Sequence, residues 1–220
     1  MAQQRHEMYR PIHKAIRHMM YTTAHDLSVA DFQDKPLADG ALSSLENTIS
    51  MLILHAGHEE DFVHPALEER APGFIESFEK DHGNDEKVYA ELRGLSSDVG
   101  RASGERKSEL GNEIYDLYNQ FVGTYVDHLY REEHELQQAL WANFTDEELG
   151  AIDGAIMADV SPELMTQFLT LICGSFNPGD LALMLGGMKG GMPPEAYQGM
   201  LQAAESAIPS EIWAKVKERI

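Results

Sequence analysis

The chain of 220 residues holds a single cysteine, Cys173. An internal disulfide is excluded, and nothing in the thiol content implies an oxidising compartment. Basic residues are scarce too: 17 lysines and arginines stand against 37 acids, a formal charge of −20. The basic footprint that nucleic acid requires is missing, and an anionic membrane surface would repel the chain. No window reaches the ~18 apolar residues of a membrane-spanning helix. The opening MAQQRHEMYRP has no apolar signal region, so the expected location is the cytoplasm. Strand-type alternation with hairpin turns is also lacking. Histidine is absent from residues 135–220, although ten occur before them. Any imidazole chemistry therefore belongs to the first part of the chain.

What is present is helical spacing. Apolar residues recur in steps of three and four, which predicts four long helices over roughly residues 9–27, 42–65, 74–95 and 110–141. Pro72 and Gly73 separate the second from the third, and SSDVGRASGERKSE connects the third to the fourth. Long helices with short connections make an all-α, up-and-down four-helix bundle, here over residues 1–143. The texture changes over residues 144–220. TDEE at 145–148 is a capping box, Ser161-Pro162 opens a further helix, and SFNPGD, GGMKGGMPPE and IPSE each break the chain before a restart. This C-terminal extension reads as a series of short helices, through which a second copy or another protein would be met. It carries six of the eleven methionines, a residue that fills irregular cores more often than it lines partner surfaces. Cys173 in FLTLICGS reads as a buried, inert thiol.

The inward stripes of the four long helices contain groups that do not belong in a hydrocarbon core. The second helix gives Leu45, Thr48, Leu52, His55, Glu59, Phe62 and Ala66. The fourth gives Leu110, Ile114, Leu117, Phe121, Tyr125, His128 and Glu132. The third gives Ile75, Phe78, His82, Asp85, Tyr89 and Leu92, and the first gives His13, Ile16, Met20, Thr23 and Leu27. Each helix thus points a histidine inward, and two add a glutamate one turn on, where a four-residue step keeps both side chains on one face.

One core histidine is ordinarily structural, held by a hydrogen bond. Four on facing stripes with two buried carboxylates are different, because an unpaired carboxylate in a core costs several kcal/mol. A cation resolves the conflict by turning imidazoles and carboxylates into ligands. His13 precedes His55 and Glu59 by 42 and 46 residues, and His82 precedes His128 and Glu132 by 46 and 50. The two helical hairpins therefore offer the same donors as a pseudo-repeat, and two equivalent halves suit two metal ions. Nitrogen and carboxylate donors without thiolate suit iron or zinc, and manganese less readily.

Other groups compete for these roles. Glu86, one turn after His82, is a candidate seventh ligand, ahead of Asp81 and Asp85. His64 abuts Pro65 and is placed to shape access; His58 also flanks the motif. His18 and His134 fall on other faces, and Glu60 and Glu133 read as solvated acids or as partners that orient the ligands.

These motifs resemble the hemerythrin-like, HHE cation-binding family. The matching residues are His13 in PIHKAIRH, His55 and Glu59 in HAGHEEDFVHPAL, His82 in EKDHGNDEK, and His128 with Glu132 in HLYREEHEL, so that the resemblance covers about residues 8–142. It implies a four-helix bundle around two iron ions, an oxo- or hydroxo-bridged di-iron centre with the two glutamates as bridges. Hemerythrin itself has a second histidine on the third helix where this chain has Glu86. Its last carboxylate is an aspartate five residues after the histidine, where this chain offers Glu132 at four and Glu133 at five. Both departures point to the bacterial HHE branch.

Two glutamates neutralise about half the charge of two ferrous ions, and a histidine-rich set favours the lower oxidation states. The expected function is binding or sensing O2, or responding to NO or peroxide. The alternatives are an oxidase, oxygenase or peroxide-decomposing enzyme on the same centre, an iron-handling or storage protein, and a metal-free helical interaction module.

Overall fold

In the computed structural model, which describes residues 5–190 and 193–220, the regular elements are all helices; no strand occurs among the described residues. Helix α1 (Arg10–Val29) carries Pro11 in its first turn, where a missing N–H loses no bond. Helix α2 (Lys35–His58) starts before the predicted Leu42 because Asp34 caps it, accepting from the Leu37 N–H at 3.3 Å. It runs through one π turn (Glu59–Val63) into α3 (His64–Arg70). Helix α4 (Glu76–Arg101) continues past the predicted end at Leu95, since Val99 extends the buried row of Tyr89 and Leu92. The expected connector over 96–109 shrinks to Ala102–Gly104, where Gly104 takes the left-handed φ of 55° that turns the chain. Helix α5 (Glu105–Arg131) passes through a second π turn (Glu132–Leu136) into α6 (Gln137–Asn143).

Contacts fix the directions of these helices. Thr23 meets Thr48 while Asp26 meets Ser44, so α1 and α2 are antiparallel. Glu46 with Arg93 and Glu60 with His82 do the same for α2 and α4. Tyr89 with Phe121 and Asp81 with Arg131 do so for α4 and α5. The Tyr118 hydroxyl donates to the Met20 carbonyl at 3.1 Å, which ties α5 back to α1. These helices form a bundle whose interior is lined by the expected stripe of α4 and by Met20, Thr23 and Leu27 of α1.

Two details of the stripes differ. On α5, Tyr118 is fully buried and Leu117 only partly. Beyond Glu59 the buried apolar residues are Val63 and Leu67, not the expected Phe62 and Ala66. A π turn inserts one residue into the hydrogen-bond ladder and moves the inward face on by one.

Thr145 and Glu148 cap α7 (Asp146–Asp159) reciprocally, at 2.8 Å and 3.3 Å. That helix lays Leu149, Ile152 and Ile156 against Tyr9, Leu67, Phe78 and Leu140. By contacts the chain falls into two compact bodies, Met1–Tyr9 with Met19–Ile156 and Arg10–His18 with Met157–Ile220. The second body contains α8 (Pro162–Ser175), α9 (Pro178–Met188), α10 (Pro194–Ala207) and α11 (Ser210–Lys217), with Ser161 and Asn177 as caps. Its core gathers Cys173, Leu181, Leu185, Tyr197, Met200 and Trp213, with Met184 and Met188 packed against it. Met157 is exposed, and Met192 lies outside the described residues. Burial raises the Cys173 thiol above its ordinary pKa, the condition of an inert cysteine. No helix among the described residues is long and apolar enough to cross a membrane.

Candidate metal centre

The site is built where the two π turns begin. Glu59 is the first residue of one and Glu132 the first of the other, each one turn after a histidine of the preceding α-helix. Their exposures, 3% and 0%, are those of core residues. Around them are two groups of donors. His13, His55, Glu59 and Glu132 offer one ligand atom each, all within 4.8 Å of one another; Glu59, His82, His128 and Glu132 do the same. The six residues singled out by the sequence are all present, and the two carboxylates belong to both groups.

The distances show how one carboxylate serves two sides. Glu59 turns Oε1 toward Nε2 of His55 at 3.5 Å and Oε2 toward Nε2 of His82 at 3.4 Å. Glu132 Oε1 lies 2.8 Å from Nε2 of His128 and 3.9 Å from Nε2 of His82. The far nitrogens meet acids nearer the surface. His82 Nδ1 is 2.9 Å from Glu60 Oε1, and His128 Nδ1 faces Asp81 Oδ2 at 3.5 Å. Asp81 is held in turn by Arg131 at 2.5 Å. A carboxylate on the outer nitrogen fixes the ring orientation and leaves the inner nitrogen as a donor.

Electrostatics confirm that this arrangement is uncomfortable for protein alone. Burial, with the Glu132 charge added, pushes the Glu59 carboxyl up to about 8. Burial alone would lower His82, yet the carboxylates of Glu132, Glu59 and Glu60 carry it up to about 11. Both oxygens of Glu59 and the inner nitrogen of His82 are buried without a well-formed hydrogen bond. Orphaned buried acceptors beside orphaned ring nitrogens are what a cation would satisfy, so the donor set fits a metal.

The remaining candidates fall elsewhere. Glu86 is exposed and enters neither group; the inward face of α4 at this level is Asp85, three residues from His82 rather than four. Asp85 is 8% exposed, and burial raises its carboxyl to about 6. Glu133 is half-buried, while His18 and His134 are exposed. His58 is buried with its ring edge-on to Phe62. His64 is buried and stacks on His82 with ring centroids 5.5 Å apart. Burial, then the neighbouring His82, lowers it to about 4, so it is neutral at ordinary pH. The sequence signals the inward turn of His64 only weakly, because it depends on the π turn. A groove of about 580 Å³ between α4 and α5, lined by Asp85, Phe121, Asp127 and Arg131 among others, also reaches His128.

No curated protein matches this chain. The hemerythrin HHE cation binding domain family matches residues 6–140, which span α1 to α6 and all six donors. With its donors buried in a helical bundle and its match extending over more than half its length, the chain belongs to the hemerythrin HHE cation-binding family.

Proposed function

We propose that this chain is a non-haem di-iron protein that binds or senses O2, or responds to NO or peroxide, and that it works in the cytoplasm. The observation that carries the reading is the sharing of Glu59 and Glu132 between two groups that each add two imidazoles. Four terminal nitrogens and two shared carboxylates are the donors that a pair of ions, rather than one, would use. His13 and His55 would hold one ion and His82 and His128 the other, with both glutamates between them. Bound iron would supply reversible stepping between the diferrous and diferric states. The chain's own part is to keep the rings oriented through Glu60 and Asp81, and to keep water out by burial.

Metal content per chain, measured with the ultraviolet–visible spectrum before and after O2, tests this. Two irons per chain and a stable, reversible spectral change without turnover are expected. Zinc alone, in protein produced with iron available, overturns the redox reading. Uptake of many more than two irons would instead mark a storage protein.

The groove favours a second reading. Its volume of about 580 Å³ is in the range of small organic ligands, and it reaches His128. An oxidase or oxygenase on the same centre would consume O2 in step with an organic co-substrate.

A further inference from the structure

The two π turns occupy equivalent places in the two helical hairpins, and each ends with a backbone bond from the residue five positions on. The His64 N–H donates to the Glu59 carbonyl, and the Gln137 N–H to the Glu132 carbonyl. His64 and Gln137 are thus counterparts, and both are buried, at 1% and 0% exposure. The extra residue of the π turn is what brings these positions to the inner face.

Their surroundings differ. Gln137 is satisfied by the segment ahead of α1: its Oε1 accepts from the Met8 N–H at 2.9 Å, and its Nε2 donates to the His6 carbonyl at 3.4 Å. His64 has nothing comparable. Both ring nitrogens are buried without a hydrogen bond, and the ring rests against His82. A neutral imidazole carries one N–H donor and one acceptor, and leaving both unmet in a core is unfavourable. A residue kept only for packing would be an apolar side chain here, and one kept for a structural bond would have a partner, as Gln137 has.

From this asymmetry we propose that His64 is a recognition residue for the small exogenous ligand of the centre. Its ring hydrogen-bonds a small ligand with an atom able to accept that bond, such as dioxygen, peroxide or azide, that arrives beside His82. This rests on the metal-centre reading above and adds to it the residue that selects the ligand. His64 would not hold the metal, since it belongs to neither donor group.

The test uses the full chain with its native residue, with His64→Phe and with His64→Gln, the last placing the counterpart's side chain there. Iron-loaded protein is titrated with azide and followed by its absorption spectrum; iron content and the melting temperature of metal-free protein are measured in parallel. The expected result is unchanged iron content, azide affinity weakened about tenfold in His64→Phe, and partial recovery in His64→Gln. Metal-free His64→Phe should melt no lower than the native chain, because an unmet polar group has been removed. Unchanged azide affinity in fully loaded His64→Phe overturns the proposal. Loss of iron from both variants also overturns it, by making His64 a ligand. A lower melting temperature of metal-free His64→Phe would show the ring to be structural and would count against it equally. A native chain that takes up no iron would defeat the metal-centre reading itself and the role of His64 with it.

Discussion

Replacing Glu59 with glutamine should stabilise the protein without metal and weaken it with metal. The Glu59 carboxyl is raised from 4.5 to about 8 by burial and by Glu132. At pH 7 an unfolded chain has released that proton, so folding without a cation requires its uptake. At about 1.4 kcal/mol per pH unit, the requirement amounts to roughly 3 kcal/mol. Glu59→Gln keeps the shape and abolishes the requirement. For a chain of this size each kcal/mol moves the melting temperature by ~2–4 °C, so metal-free Glu59→Gln should melt about 6–12 °C above the native protein at pH 7. The advantage should vanish toward pH 4.5, where the unfolded carboxyl is itself protonated.

With metal the sign reverses. Glu59 is a donor to both groups, and a neutral amide is a poorer ligand for a hard cation. Iron content should fall, and with it the mass-action stabilisation, which reaches about 4 kcal/mol at a metal concentration a thousandfold above Kd. Calorimetry of both proteins, stripped with chelator and then reloaded, reads the two signs directly. If metal-free Glu59→Gln melts below the native protein, the carboxylate stabilises the fold by itself and the reasoning fails.

Three further outcomes are expected. Metal-free protein should lose stability between about pH 6.5 and 8, because Glu59 (raised to about 8) and His82 (raised to about 11) both hold more protons folded than unfolded in that window. Urea melts should show that fall, and a rise in stability with pH would refute it. Gly111→Ala should destabilise by about 1–3 kcal/mol, since its Cβ would stand 2.3 Å from the Phe32 ring; adding Phe32→Leu should restore part of the loss. Thr145→Ala should cost about 1 kcal/mol by removing the cap of α7, measured by urea titration with an unchanged slope.

The six donors are legible in the sequence because an α-helix of either hairpin up to its glutamate keeps a strict step of three and four. His55 and Glu59, or His128 and Glu132, therefore read as one face without knowledge of tertiary structure. The turn after each glutamate is not legible in the same way. A π turn is chosen by which backbone N–H reaches which carbonyl, and EEDFV and EEHEL are ordinary helical sequence. The resulting difference is one residue, Val63 in place of Phe62, and it conceals how His64 comes to face inward. The helix ends escape the local pattern for the opposite reason. Asp34 with Pro36, and Ser96 to Gly100, consist of residues common in loops, yet a cap at one site and buried Val99 at the other carry the helix through. The placement of α7 with the bundle also depends on tertiary packing, of Leu149 and Ile156, which no local pattern encodes.

The two π turns also explain how a core can be both ligand and packing. Up to Glu59 the inward register is Leu45, Leu52, His55 and Glu59; after it, the register restarts at Val63 and Leu67. A continuous α-helix would present Phe62 and Ala66 there instead, and His64 would leave the inner face. On the other hairpin the same offsets from Glu132 bury Leu136, Gln137 and Leu140. Both hairpins therefore use one residue to hold the donor register and the packing register on a single face. A purely structural bundle would gain nothing from that insertion, because a π turn weakens the ladder at two places and buries two carboxylates beside it. Each π turn starts at a buried glutamate, which is the pattern expected of helices phased by their donors as well as by their packing.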